Sequence, residues 1–155
     1  MAKIKKVKGR QVFDSRGNPT VEAEVFSENT SALAIVPSGA STGTHEAYEL
    51  RDKDKTSYLG KSVLKAVENI NGPISKTIVN FNCDEQAKID KSLIELDGTD
   101  QKKKLGANAI LAVSIAVCKL TAIENKLFLF KSLRKLQTYQ LPVPLLNILN
   151  GGVHA

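Results

Sequence analysis

The chain has 155 residues, a formal net charge of +6, 42% hydrophobic and 25% charged residues, no tryptophan and two cysteines. That is long enough for one domain with its own core, and the balance of apolar to charged residues excludes disordered and collagen-like classes. No run of about 18 apolar residues stands out, and no apolar stretch follows the basic start MAKIKKVKGR, so neither a membrane span nor a secretory signal is expected and the cytoplasm is the default.

Alternation comes first along the chain. Lys3 to Phe13 and Thr20 to Ser27 are β-like, because Val21, Ala23 and Val25 alternate with Glu22 and Glu24 and so put apolar groups on one face and acids on the other. Asp14-Ser15-Arg16-Gly17-Asn18-Pro19 between them is dense in turn formers, with Arg16 and Asn18 read as ordering a hairpin. Leu33 to Val36 adds a third short strand that Pro37, lacking an N–H, brings to an end. A three-stranded antiparallel meander results.

The period then becomes helical. Val63, Leu64, Val67 and Ile70 form one stripe, expected to stop at Asn71-Gly72-Pro73; Ile89, Leu93 and Leu96 form another, ending at Gly98. Lys102-Lys103-Lys104, the densest basic run, reads as a solvated loop after that break rather than a phosphate-backbone site, and no nucleic-acid partner is expected. Gly106 to Glu124 is apolar nearly all round and alanine-rich, as a central helix packed on several sides must be. Cys118 falls inside it and reads as core. With Cys83 it lacks any metal-ligand spacing, so both are expected to be reduced thiols.

A last helical stretch near Leu129 to Leu136 gives way to a polar linker, Gln137 to Gln140, and then to the β-type run LPVPLLNILNGG, Leu141 to Gly152. Strands gathered first and helices after give an α+β domain over residues 1–136, with 137–155 opening a second element.

The stretch VPSGASTGTHEAYEL, Val36 to Leu50, is the candidate for chemistry. Read alone, its Ser, Thr and Gly are what turns are made of. It is not a nucleotide-binding P-loop, since SGASTG lacks the lysine that neutralises phosphates. Its company changes the reading: DSRGNPTVE, VPSGASTGTHEA, LDGT, LGANAILAVS and PVPLLNILNGGVHA, in this order and spacing, resemble the N-terminal third of bacterial-type enolase. The likeness is weaker from Asn71 to Glu95 and from Thr121 to Gln140, where Lys126 and Phe128 replace the family's usual glycine and proline.

The resemblance implies an enolase N-terminal domain, a meander followed by a helical bundle, with the first strand of an absent C-terminal α/β barrel after it. It implies a Mg²⁺-dependent lyase of glycolysis that reversibly dehydrates 2-phosphoglycerate to phosphoenolpyruvate, as a cytoplasmic homo-oligomer, dimeric or higher. Ser38, Gly39, Ala40, Ser41, Thr42 and Gly43 would be a substrate-covering loop with Ser41 on a metal ion, and His154 a catalytic residue on a second loop. Arg10 and Glu22 would lie at the dimer interface, while His45 reads as surface. The lysine base, glutamate acid and main metal carboxylates fall outside this stretch, so the 155 residues alone are expected to be inactive. The alternative is a non-catalytic interaction piece that binds a protein partner, since family members also occur on cell surfaces.

Overall fold

The computed structural model describes residues 2–37, 43–134 and 136–149. Three strands, β1 (Lys6–Phe13), β2 (Pro19–Phe26) and β3 (Ser31–Val36), form an antiparallel meander in the order β1-β2-β3. Register follows the alternation: Arg10 lies opposite Glu22, Gly9 opposite Ala23, and Ala23 opposite Ala34. Val7, Val21, Ala23, Val25, Ala32 and Ala34 are buried on the inner face. Asp14 organises the first hairpin by accepting hydrogen bonds from the Arg16 and Asn18 N–H groups at 2.8 Å each, so Arg16 acts through its backbone and the carboxylate sets the turn.

Helix α4 (Ala107–Glu124) crosses the inner face of the sheet against β2 and β3. Ala109, Ala112, Val113, Ala116, Val117 and Leu120 are fully buried there, and the small alanines let the helix lie close to the strands. By length and composition α4 also qualifies as a membrane-crossing segment, which the sequence expectation had not credited; in this fold its buried residues pack on the sheet and on α3 (Gln86–Asp97), while Leu111 and Ile123 are exposed. Cys83 is the buried thiol and Cys118 only half-buried, the reverse of what its position in an apolar run suggested.

The helix beginning at α1 (Leu64–Asn69) does not stop at Asn71-Gly72-Pro73. It passes through a π turn, Ile70–Ile74, into α2 (Ser75–Ile78). A wider turn accommodates Pro73, which has no N–H to give an α-helical bond. The continuation is driven by burial, since Val63, Ala66, Ile70, Ile74 and Ile78 form one fully buried row. Asn71 serves the sheet instead. Its side chain accepts from the Gly9 N–H at 2.8 Å and donates to the Gly9 carbonyl at 3.1 Å, satisfying the open edge of β1. Gly9 carries no side chain because a Cβ would come within 2.9 Å of Ile70 Cβ.

Helix α5 (Leu129–Leu133) is shorter than the apolar run predicted. Residues 141–149 form no strand, and Leu141, Val143, Leu145, Leu146, Ile148 and Leu149 are exposed. A strand depends on a neighbour to take its backbone groups, which the apolar pattern by itself does not supply.

Candidate functional site

The glycine-serine stretch leaves the sheet at the end of β3 and re-enters described structure at Gly43. Ser38, Gly39, Ala40, Ser41 and Thr42 lie outside the described residues, as does His154. Gly43 is exposed and closes a small turn, its N–H donating to Glu46 Oε1 at 2.8 Å while the Glu46 N–H donates back to its carbonyl at 3.3 Å. His45, beside it, is exposed as expected.

Both ends of the stretch are fastened. On the entry side Val36 pairs with Val21, and the buried Thr20 hydroxyl donates to the Val36 carbonyl at 2.5 Å. On the exit side, the Tyr48 N–H donates to the Gln101 carbonyl at 2.7 Å and the Tyr48 carbonyl accepts from the Ala107 N–H at 2.8 Å. Leu50 is held at both backbone groups by Asn108. Arg51 Nη1 donates to the Pro19 carbonyl at 3.2 Å and also to the Lys61 carbonyl, and Arg51 Nη2 pairs with Glu49 at 2.8 Å. The Asp52 carboxylate accepts from the Leu64 and Lys65 N–H groups at 2.8 and 2.9 Å and so caps α1 from outside the helix.

The turn that offers Gln101 is built by Asp97. This buried carboxylate at the end of α3 accepts the Leu105 N–H at 2.7 Å, the Thr99 N–H at 3.0 Å and the Thr99 hydroxyl. Burial pushes its carboxyl up, but the Thr99 hydroxyl and the Leu105 and Thr99 amides together outweigh burial and hold it below its ordinary value. Gly98 takes the left-handed conformation, φ 69°, that lets the chain turn there. The basic run is drawn into the same turn: Lys102 Nζ donates to the Thr99 and Asp100 carbonyls and Lys104 Nζ to the Leu96 carbonyl, placing positive charge at the C-terminus of α3.

Arg10 and Glu22 come together on the outer face of the sheet. Arg10 Nη1 pairs with Glu22 at 2.6 Å and Nη2 with Glu24, so one guanidinium serves two carboxylates. The hydrogen bond from Arg10, with one from the Ser31 hydroxyl at 3.0 Å, holds the Glu24 carboxyl below its ordinary value against the effect of burial. Leu33 and Ile35 lie in register beside these charges and are partly exposed.

Among the described residues no group of three or more His, Cys, Asp or Glu side chains could hold a metal ion. They do not by themselves fit a Mg²⁺ site, which needs several oxygen ligands in octahedral array. Sequence reasoning missed Asp97, Asn108 and Arg51. A signal for the first two was present in LDGT and LGANA, motifs that mark the family without showing what their polar residues hold.

Comparison with known proteins bears on all of these residues. Residues 4–133 match the family described as "Enolase, N-terminal domain". A protein named enolase from Pelagibacter ubique (strain HTCC1062) is 58% identical over all 155 residues, and the chain spans 37% of that protein's length. A match covering the meander, the helices and the anchored exit of the glycine-serine stretch leaves one assignment: the chain belongs to the enolase N-terminal domain family.

Proposed function

We propose that these residues are part of an enolase which, when complete, reversibly removes water from 2-phosphoglycerate to give phosphoenolpyruvate with Mg²⁺. The observation that carries this reading is the 58% identity to a protein of that name, unbroken over the chain. In this reading residues 1–136 are the N-terminal domain, 137–155 lead into a second domain, and the base, the acid and the metal carboxylates are supplied from outside the 155 residues. Magnesium, when bound, supplies positive charge for the dianion that forms when a proton leaves beside a carboxylate.

The part assigned to this chain is to bring Ser41 and its neighbours to the substrate from two fixed ends and to exclude water there. His154 is assigned contact with the substrate in the same reading. The Arg10, Glu22 and Glu24 cluster, with Leu33 and Ile35 beside it, is the face proposed for contact between subunits of a homo-oligomer. The lysines of the 102–104 run are occupied by carbonyls of their own turn or spread over its surface, which argues against a nucleic-acid partner; a cytoplasmic location without a membrane span completes the proposal.

The test is direct. The complete protein, given 2-phosphoglycerate and Mg²⁺, should produce phosphoenolpyruvate, followed by its ultraviolet absorbance, and lose that activity on chelation. No conversion at saturating substrate and metal would refute the proposal.

A further inference from the structure

Three motifs with no assigned chemistry converge on one place. DSRGNP supplies the Pro19 carbonyl that Arg51 holds and, through Asn18 Oδ1, a 2.8 Å acceptor for Lys61 Nζ. LDGT supplies Asp97, which shapes the turn whose Gln101 carbonyl receives the Tyr48 N–H. LGANA supplies Gly106, Ala107 and Asn108, all within reach of Tyr48 or Leu50. Their shared target is the segment 48–52, where the glycine-serine stretch rejoins the domain.

Of these contacts, that of Asn108 is two-fold. Its Oδ1 accepts the Leu50 N–H at 3.1 Å and its Nδ2 donates to the Leu50 carbonyl at 3.0 Å, so one buried amide meets both backbone groups of a single residue as a neighbouring strand would. Gly106 makes room for the approach. Its φ of +92° suits glycine, and a Cβ there would lie 2.5 Å from Asn108 Oδ1 and 2.6 Å from Leu50 Cβ. The Ala107 N–H, one of the helix-end donors without a partner inside α4, is used on the Tyr48 carbonyl. Leu50 packs at the margin of the core, and Asn108, at the start of α4, reads the backbone of a segment that has no regular secondary structure.

We propose that Asn108 is a positioning residue: seated by Gly106 on the rigid end of α4, it fixes Leu50 and with it the exit of the glycine-serine stretch. The proposal rests on the functional reading above, because positioning has a kinetic consequence only if that stretch serves the reaction. An asparagine suits this role. It is uncharged, so it can be buried without a counter-ion, and it offers a donor and an acceptor at the spacing of a peptide group.

The experiment uses the complete protein, with Asn108→Asp and, as control, Thr121→Val. The aspartate is isosteric but cannot donate to the Leu50 carbonyl when ionised; Thr121→Val removes a 2.5 Å hydrogen bond from the same helix to the Cys83 carbonyl, remote from segment 48–52. Hydrogen exchange without ligand should quicken at residues 48–52 in Asn108→Asp alone. Its kcat with 2-phosphoglycerate should fall about 10- to 100-fold, the scale of a misplacement near 1 Å. Lowering the pH should recover part of the loss relative to wild type, because a protonated carboxyl can donate again. Thr121→Val should alter melting temperature without either effect.

If Asn108→Asp does not fold, Gly106→Ala is read in the same way, since its Cβ would collide with both Asn108 Oδ1 and Leu50 Cβ and so break the same contact while the asparagine itself is kept. Unchanged exchange at 48–52, or kcat within about twofold of wild type, overturns the proposal. So does a loss of kcat in Thr121→Val that tracks its melting temperature as closely as in Asn108→Asp. A wild-type protein without turnover refutes the functional reading and the kinetic consequence with it, while the exchange result still decides whether Asn108 holds the segment.

Discussion

Replacing Asp97 should destabilise the domain far more than its place at the end of a helix suggests. A carboxylate at a helix C-terminus opposes the macrodipole, so on that ground alone its removal would help by a few tenths of a kcal/mol, about 0.3–1. The structure reverses the sign, because Asp97 is buried and accepts from Leu105 N–H, Thr99 N–H and the Thr99 hydroxyl. Hydrogen bonds to an ionised group contribute about 1.5–3 kcal/mol each and a stranded buried donor costs about 1–3 kcal/mol. Water can reach half-buried Thr99 but not Leu105, so Asp97→Ala should lose about 3–5 kcal/mol and Asp97→Asn, which turns one acceptor into a donor, about 2–3 kcal/mol.

Urea unfolding of the 155-residue chain followed by circular dichroism measures both. The folded carboxyl lies below its ordinary value of 3.8, so its contribution is complete above about pH 4 and is lost as pH falls through the folded value. The gap between wild type and Asp97→Asn should therefore narrow below about pH 4. A gap that is constant between neutral and acidic pH, or a loss under about 1 kcal/mol in Asp97→Ala, would refute the reasoning.

The 155-residue chain alone should show no 2-phosphoglycerate dehydration above background; chelator-sensitive turnover by the purified chain would place the chemistry in residues read here as scaffold. In the complete protein, Ser41→Ala should lower kcat far more than melting temperature and raise the Mg²⁺ concentration needed for half-activity, whereas unchanged kinetics would return Ser41 to the status of a turn hydroxyl. Asn71→Ala should cost about 1–3 kcal/mol in urea unfolding by leaving both backbone groups of Gly9 without their partner, and a loss no larger than a surface substitution would refute that role.

Elements whose signal is local were legible in the residues alone. Alternation from Val21 to Val25 sets which face of β2 is buried, the turn formers at 14–19 set the hairpin, and the alanine-rich run 107–124 sets the central helix. Motif order was enough to identify the family. What depended on distant partners was not legible. Asn71-Gly72-Pro73 carries every local sign of a helix end, yet burial of Ile74 and Ile78 continues the helix through a π turn. The run 141–149 is apolar and branched like a strand but forms none, because a strand is completed by its neighbour. Asp97 and Asn108 are small polar residues without sign of their purpose until the turn at 98–105 and the backbone of Leu50 are brought against them. Local pattern decides which residues are apolar on which face; only the folded chain decides which backbone groups are left for a buried side chain to satisfy.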